Sequence, residues 1–519
     1  MEQAAIENNP LSTKNESWIL TATILASSMA FIDGTALNVS LPSLQSSLQA
    51  SGTQLLWILN GYLLMLASLI LVGGSLGDRL GRKKVFMTGI ALFMIASLAC
   101  GVSPTIQWII AARVVQGIGG ALMIPGSLSI LTVLVAPSRR GRAIGIWSAA
   151  TTLITVIGPL LGGFFADLGF WRGVFLINLP LGILSLVILH FKVPESRDES
   201  VVGSIDFAGA ALVTIGLAGI TYGFLSLPNF SFWTWQVVGT LLTGVLGLVA
   251  FIIVEARRKN PMMPLGLFRS HTFSGANLLT LFLYAGLSVG FFFLALNLIQ
   301  VQGYSKTQAG LATLPFALML VALSRWAGGF MDRNGPRLPL IAGPALAGAG
   351  FFYMAFSGLT RGPAAYWTAF MPGIALFGVG MGLTVAPLSA SVMGSVETHY
   401  SGIASGINNA VSRAAGVLAV AIVGSMALIV YAGSLTSQTA GLHLSDKAQQ
   451  ALSAEAEKLG GATVPVEAGP QNIDAIKVSI KQSFVDTFRL VMFICAGLAW
   501  ASALAAAILI EPRLNPRTE

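Results

Sequence analysis

Gly74-Ser75-Leu76-Gly77-Asp78-Arg79-Leu80-Gly81-Arg82-Lys83 closes one long apolar stretch of this chain, and Gly328-Gly329-Phe330-Met331-Asp332-Arg333-Asn334-Gly335-Pro336-Arg337 closes another. The Gly, Asp, Arg, Gly and final basic positions of the two runs align at one constant offset, that of Asp332 from Asp78. Internal copies of this kind mark membrane proteins built from repeats. The glycines permit a tight loop and close helix approach. The Asp, near a helix end, can pair with neighbouring arginines or with a helix N-terminus across the interface between the halves. Arg82-Lys83-Lys84 alone would read as a plain positive anchor, and the repeated Asp-Arg-x-Gly frame argues against that.

The rest of the chain fits. Of the 519 residues, 55% are hydrophobic and 10% charged, against about 25% charged for a soluble domain. Apolar runs of about 20 residues mark spans. They fall at 17–40, 54–75, 84–102, 106–132, 143–166, 171–190, 205–226, 235–255, 273–299, 308–331, 338–359, 364–391, 403–431 and 484–510. This predicts an all-α polytopic membrane protein of fourteen helices. The two copies close spans 2 and 10, whereas a six-plus-six repeat would set them six apart, so the spans at 205–226 and 235–255 are read as inserted. The expected organisation is a six-helix bundle over 1–200, two inserted helices over 201–260, and a second bundle over 261–519 with an external segment at about 432–483.

Basic residues collect in alternate loops: Arg79, Arg82, Lys83 and Lys84; Arg139, Arg140 and Arg142; Arg257, Arg258, Lys259 and Arg269; Arg333 and Arg337. The loops after spans 1, 3 and 7 hold none, which predicts cytoplasmic termini. The formal charge of +8 lies mainly in these loops and does not point to nucleic acid. The first 17 residues are polar and carry no cleavable signal. In the external segment Ser445 and Asp446 can start a helix through Lys458, and Ile473, Ile476, Ile480 and Phe484 recur at helical spacing. Two amphipathic pieces over the external mouth, or a solvated connector, remain open.

Asp33 stands inside the first span, in Ile32-Asp33-Gly34-Thr35-Ala36-Leu37-Asn38-Val39-Ser40-Leu41-Pro42. A carboxylate at a helix centre costs about 2.5 kcal/mol or more and by default marks function. Counted from Ser40 and Ile106, Asp33 and Arg113 both lie about 10 Å below the outer surface. They can interact if spans 1 and 4 face one cavity. Asp33 then reads as a site that proton and substrate occupy in turn, or as a carboxylate that only pairs helices. Arg113 has the same two readings, and Gln116 shares its helix face. Asn38, Asn60, Tyr62, Gln116, Phe291 and Asn408 are the candidates for a substrate cavity. Asn297 and Gln300 could join them. Consecutive Phe291-Phe292-Phe293 cannot all face inward. Arg413, with Asn408 and Asn409, can mark the second half of a pathway. Arg325 reads as snorkelling, Asp486 with Arg489 as a local pair, and Asp206 and Glu255 as interfacial.

These residues carry a family resemblance over nearly the whole chain. Gly74-x-x-x-Asp78-Arg79-x-Gly81-Arg82-Lys83 resembles the loop motif of the major facilitator superfamily. Arg113-Val114-Val115-Gln116-Gly117-Ile118-Gly119-Gly120 resembles its helix 4 motif, and Gly158-Pro159-Leu160-Leu161-Gly162-Gly163 the antiporter motif of helix 5. The stretch around Asp33 resembles the helix 1 motif of drug:proton antiporters, and Trp171-Arg172-Gly173-Val174-Phe175-Leu176-Ile177-Asn178-Leu179-Pro180 a signature of the fourteen-helix branch. Ile154 and Ser40 stand where that pattern has glycine and alanine, and span 10 lacks the mid-helix acid that some members use for divalent cations. The resemblance implies the major facilitator fold with two inserted helices, working as a monomer in a bacterial cytoplasmic (inner) membrane. It implies proton-driven export of hydrophobic or amphipathic drugs by alternating access, without a cofactor or metal. It assigns proton coupling to Asp33 and Arg113. Gating falls to Gly74, Asp78, Arg79, Gly81, Arg82, Gly158, Pro159, Gly162, Gly163, Asp332 and Arg333. A dedicated exporter of one metabolite, antibiotic or lipid is the alternative.

Other classes find little here. Cys100 and Cys495 lie in apolar stretches, and His190, His271, His399 and His443 are scattered, so neither disulfide nor metal spacing exists. A Gly-x-x-x-x-Gly-Lys-Ser/Thr loop for ATP is absent, as is a Ser/His/Asp set. A receptor or scaffold would need a larger soluble domain than the external segment.

Overall fold

The computed structural model describes residues 13–197, 205–259, 261–397 and 400–513. The expected boundary at 200–201 and His399 lie outside them. The described residues form helices and connectors, with no strand among them. In chain order the long helices are α1 (Thr13–Leu48), α2 (Gly52–Leu80), α3 (Arg82–Gly101), α4 (Ile106–Leu134), α5 (Pro137–Asp167), α6 (Gly173–Lys192), α7 (Phe207–Ser226), α8 (Trp235–Arg257), α9 (His271–Val301), α10 (Lys306–Asn334), α11 (Arg337–Met354), α12 (Met371–Gly394), α13 (Ser401–Thr439) and α14 (Ile473–Leu509). Thirteen of these positions are long and apolar enough to cross a membrane. The exception, α11, has 18 residues, starts on Arg337 and contains Pro339 and Pro344. It nevertheless packs between α12 and α14 as a full bundle member.

Local chemistry sets the turns. Ser51 and Gln54 form a capping box that starts α2. Gly81, at φ +111°, separates α2 from α3. The Glu195 carboxylate accepts hydrogen bonds from the Lys83 and Lys84 backbone N–H groups at 2.9 and 3.0 Å. It thereby caps the positive end of α3. A side chain at Gly81 would meet that carboxylate at 2.7 Å.

Two helices overrun their expected ends. The first span was read as closing at Ser40, but α1 runs through Pro42 to Leu48. Neighbouring helices and local adjustments allow a proline inside a membrane helix. Asp33 therefore lies a further two turns from the helix end than its distance to Ser40 suggests. Similarly, α13 continues to Thr439, so the external segment begins after the expected position near 432. The Ile473–Phe484 face is the outer end of α14, not a separate amphipathic piece. Ile476, Ile480 and Phe484 are buried there, which is why helical spacing appeared.

In the first half α2 packs on α4, α3 on α4 and α1 on α5; in the second α9 packs on α14, α10 on α12 and α11 on α12 and α14. The halves meet along α2–α13 and α5–α10. α7 and α8 pack on each other, and α7 lies over the α2–α13 seam, where Leu217 meets Leu64, Ala67 and Val417. Asp206 and Glu255 lie at the ends of α7 and α8, as expected, and are 5% and 2% exposed. Their burial is tolerated because Arg258 pairs with Asp206 at 2.9 Å, Gly209 N donates to Asp206 at 2.8 Å and Met263 N donates to Glu255 at 2.8 Å.

The end of the bundle away from the basic loops is closed. Lys306 N and Thr307 N, at the start of α10, donate to Asp167 at the end of α5 at 3.1 and 2.8 Å. Gln300 donates to Gln45 at 2.7 Å across the halves. The external segment adds a cover. Its helix, Asp446–Ala456, is capped by Ser445 and sits against α13. Beyond it, Glu457 O accepts from Gly52 N at 2.6 Å, Lys458 O accepts from the Gln45 amide at 3.0 Å, and Leu459 is buried at φ +56°. The basic end is open: side chains at Gly141 and Gly145 of α5, or at Gly328 and Gly329 of α10, would meet nothing within 4 Å.

Glu455 holds the cover's turn. Burial pushes its carboxyl pKa up, but Lys458 at 2.5 Å and the Thr463 backbone and hydroxyl at 2.8 and 2.7 Å outweigh this and leave it lowered. A lowered folded-state value contributes stability that is present above the unfolded carboxyl value, about 4.3, and is lost as pH falls through the folded value. Hydrogen exchange at Thr463 N–H should therefore speed up, after correction for intrinsic rates, only below about pH 4. Glu455→Gln should show the faster rate throughout.

Candidate functional site

The centre of the first half is an ion pair with almost no contact with solvent. Asp33 of α1 is 0% and Arg113 of α4 1% exposed, and Arg113 Nη1 donates to Asp33 Oδ2. Gln116, one turn from Arg113, donates to Asp33 Oδ1 at 3.0 Å and accepts from Arg113 at 2.7 Å. Arg113 Nε donates to the Ile58 carbonyl at 3.1 Å, and its guanidinium lies 4.4 Å from the Tyr62 ring centroid. α2 therefore supplies an acceptor and an aromatic face to the same cation.

The chain of contacts continues where the sequence had not pointed. Gln116 donates to Ser97 Oγ at 3.4 Å, Asn178 donates to the same oxygen at 2.9 Å, and Ser97 donates to Phe175 O at 2.8 Å. Asn178 lies inside the quoted Trp171–Pro180 run, which was its available signal. Nothing in the sequence marked Ser97 apart from other membrane serines.

The small residues of α5 form a seam. A side chain on Gly158 would strike Thr35, and one on Gly162 would lie 2.8 Å from Ala36 Cα. Gly163 faces Thr307 Cα at 2.7 Å, and Gly310 faces the Pro159 carbonyl at 2.5 Å, each measured from an added Cβ. Ser40 donates to the Gly162 carbonyl at 2.9 Å, so the departure from alanine adds a bond between α1 and α5. One seam thus joins α5 to its own half and to α10.

The loop motif acts more locally here. Asp78 pairs with Arg82 one turn on, at 2.8 Å, and a Cβ added to Gly74 would lie 3.7 Å from the Pro125 ring. Asp332 and Arg333 of the second copy are exposed at the open end, and Arg79 lies at the end of α2.

The cavity candidates divide. Tyr62 and Gln116 belong to the ion-pair network. Asn60 is buried with neither amide atom bonded, and Asn38 is half-buried on α1. The Phe291 ring sits 5.0 and 5.9 Å from Phe316 and Phe377, in the packing of the second half. Phe292 and Phe293 are core. Asn408 donates to Thr280 at 2.7 Å and Asn277 at 3.2 Å, linking α13 to α9. Asn297 is buried, Arg325 exposed, and Asp486 lies 3.7 Å from Arg489.

A family profile of the Major Facilitator Superfamily matches residues 23–420. The chain belongs to the Major Facilitator Superfamily. Its relatives include the tetracenomycin C resistance and export protein of Streptomyces glaucescens, 30% identical over 82% of this chain and 78% of that one. They also include the cephamycin export protein CmcT of Amycolatopsis lactamdurans, 34% identical over 82% and 87%, and the multidrug resistance protein Stp of Mycobacterium tuberculosis, 32% identical over 79% and 76%. Among solved structures, a bacterial homolog of the human lysosomal transporter Spinster, inward-facing and unoccupied, superimposes with a TM-score of 0.65 at 20% identity over 97% of this chain and all of that one. The chain is a multi-pass membrane transporter of this superfamily, related to antibiotic and multidrug exporters.

Removing one partner of a buried pair strands the other charge and costs about 3–5 kcal/mol. Arg113→Ala should therefore lower the melting temperature in detergent sharply, and Asp33→Asn with Arg113→Gln should restore much of the loss. Equal melting of wild type and Arg113→Ala would contradict the network. At the seam, Gly158→Leu should fold with a proton leak if α5 seals the far end. A misfolded product would assign the glycine to packing alone.

Proposed function

We propose that this transporter exports hydrophobic or amphipathic compounds in exchange for protons, by alternating access about Asp33. The observation that carries the reading is the buried Asp33–Arg113–Gln116 set, which contains one titratable carboxylate held by a fixed cation in the membrane interior. The export and resistance roles named for its relatives support the substrate class. In this reading the basic loops and both termini face the cytoplasm, and the closed end faces outward. Two six-helix halves rock about the site, with α7 and α8 as an insertion between them, in a single chain without cofactor.

The chemistry follows from the pair. A proton arriving at Asp33 removes its charge and ends the ion pair. Arg113 stays held by the Ile58 carbonyl, Gln116 and the Tyr62 ring, so the cation is retained while α1 is released to move. Substrate and proton then exclude one another because an ionised and a neutral Asp33 favour different arrangements of α1 against α4. The α5 seam keeps the far end shut during this exchange. A dedicated exporter draws support from the Asn408–Asn277–Thr280 set, whose polar groups could match one defined substrate.

Proteoliposomes carrying an imposed pH gradient test the proposal with a lipophilic cation dye. Wild type should accumulate dye with the gradient, and Asp33→Asn should abolish the gradient-dependent part. Uphill transport by Asp33→Asn would remove Asp33 from the coupling. Dye movement by neither protein would favour the dedicated exporter.

A further inference from the structure

Arg413 lies in α13, twelve residues after Ser401, or about 18 Å along the helix and near the middle of a roughly 30 Å hydrocarbon layer. Its Nε is buried without a hydrogen-bond partner, and among the described residues no carboxylate pairs with it. An arginine at this depth is costly unless something answers its charge. The contrast with Arg113 is complete: that cation has a carboxylate, an amide, a carbonyl and an aromatic face.

The surroundings say where Arg413 points. A side chain on Gly416, three residues on, would meet Ser288 of α9 at 2.9 Å and Leu63 of α2 at 3.8 Å. One on Gly406, two turns back, would meet Leu71 of α2 at 3.2 Å. This strip of α13 therefore looks between α2 and α9, where the two halves meet. On α9, Tyr284 lies one turn before Ser288, the residue that faces Gly416. Tyr284 shares its α9 face with Asn277 and Thr280, the residues bonded to Asn408. Carboxylates of the second half lie only toward the ends of its spans, Asp332 at the open end and Asp486 at the closed one.

We propose that Arg413, set between α2 and α9 on the side that Tyr284 faces, is an anion subsite that takes the carboxylate of an amphipathic acid. This rests on the exporter reading and narrows its substrate class. The guanidinium offers the two-pronged donor face that a carboxylate fits, and a tyrosine hydroxyl can donate beside it. The device has a consequence for turnover. Water reaches the half-buried guanidinium while the basic end is open. Closure of that end around an unanswered cation is disfavoured, and a bound carboxylate supplies the counter-charge. Loaded protein then turns outward more readily than empty protein.

The test uses the full chain in detergent and a rhodamine free acid beside its methyl ester, which share one ring system and differ at the carboxylate. Fluorescence anisotropy should show wild type binding the acid about tenfold or more tightly over the ester, the scale of a lost charged hydrogen bond. Arg413→Gln should abolish that preference by weakening the acid alone, and Arg413→Lys should keep part of it. Should Arg413→Gln fail to fold, Tyr284→Phe provides the second measurement, with a reduced preference for the acid. Equal binding of acid and ester by wild type, no binding of either, or equal weakening of both in Arg413→Gln overturns the subsite. Transport in proteoliposomes separates the two readings. Ester export driven by a proton gradient without any acid preference sinks the subsite and keeps the exporter, whereas acid-selective binding without gradient-driven transport does the reverse.

Discussion

A carboxylate and a guanidinium share a space from which solvent is excluded, and that constraint organises the first half of the molecule. Neither charge of the Asp33–Arg113 pair can stay in the membrane interior alone. Each therefore dictates its neighbours. α2 must bring the Ile58 carbonyl and the Tyr62 ring to Arg113, α4 must turn Gln116 to the same side, and α3 and α6 must supply Ser97 and Asn178 behind it. Five helices converge on one cation and its counter-ion. Their small residues, Gly117 and Gly120 among them, let α4 approach α2 closely enough for this to happen.

The far-end seam complements that arrangement. Gly158, Gly162 and Gly163 bring α5 against α1 on one side and α10 on the other, and Asp167 fastens the last turn to the start of α10. The two features meet on α1: Thr35 and Ala36 touch the seam while Asp33, less than a turn away, carries the charge. The ion pair and the seam therefore bear on the same helix, α1.

Much of this was legible in the sequence because it depended on composition and spacing. Apolar run length located the spans, the offset between Asp78 and Asp332 located the repeat, and a lone acid in an apolar run located Asp33. What escaped notice depended on three-dimensional packing. The first span was placed at 17–40 from its apolar run alone, whereas the bundle accommodates Pro42 and lets α1 run on to Leu48. Ile473 to Phe484 looked like a surface helix because one face is apolar, yet that face is buried as the outer end of α14. Asp206 and Glu255 were placed at helix ends by their position in the chain, but their burial and their bonds to Arg258 and the Met263 backbone depend on packing. Ser97 joins the ion-pair network through one hydroxyl among many, and no pattern in a single sequence distinguishes it.

The pair α7–α8 makes the two sides of the transporter unlike each other. Leu217 and its neighbours cover the line where α2 meets α13, so lipid is kept away from that joint. Among the described residues the joint between α5 and α10 has no such cover, and its basic end stands apart. The two seams between the halves are therefore shielded from the bilayer to different degrees, and a change in lipid composition should be felt first along α5 and α10.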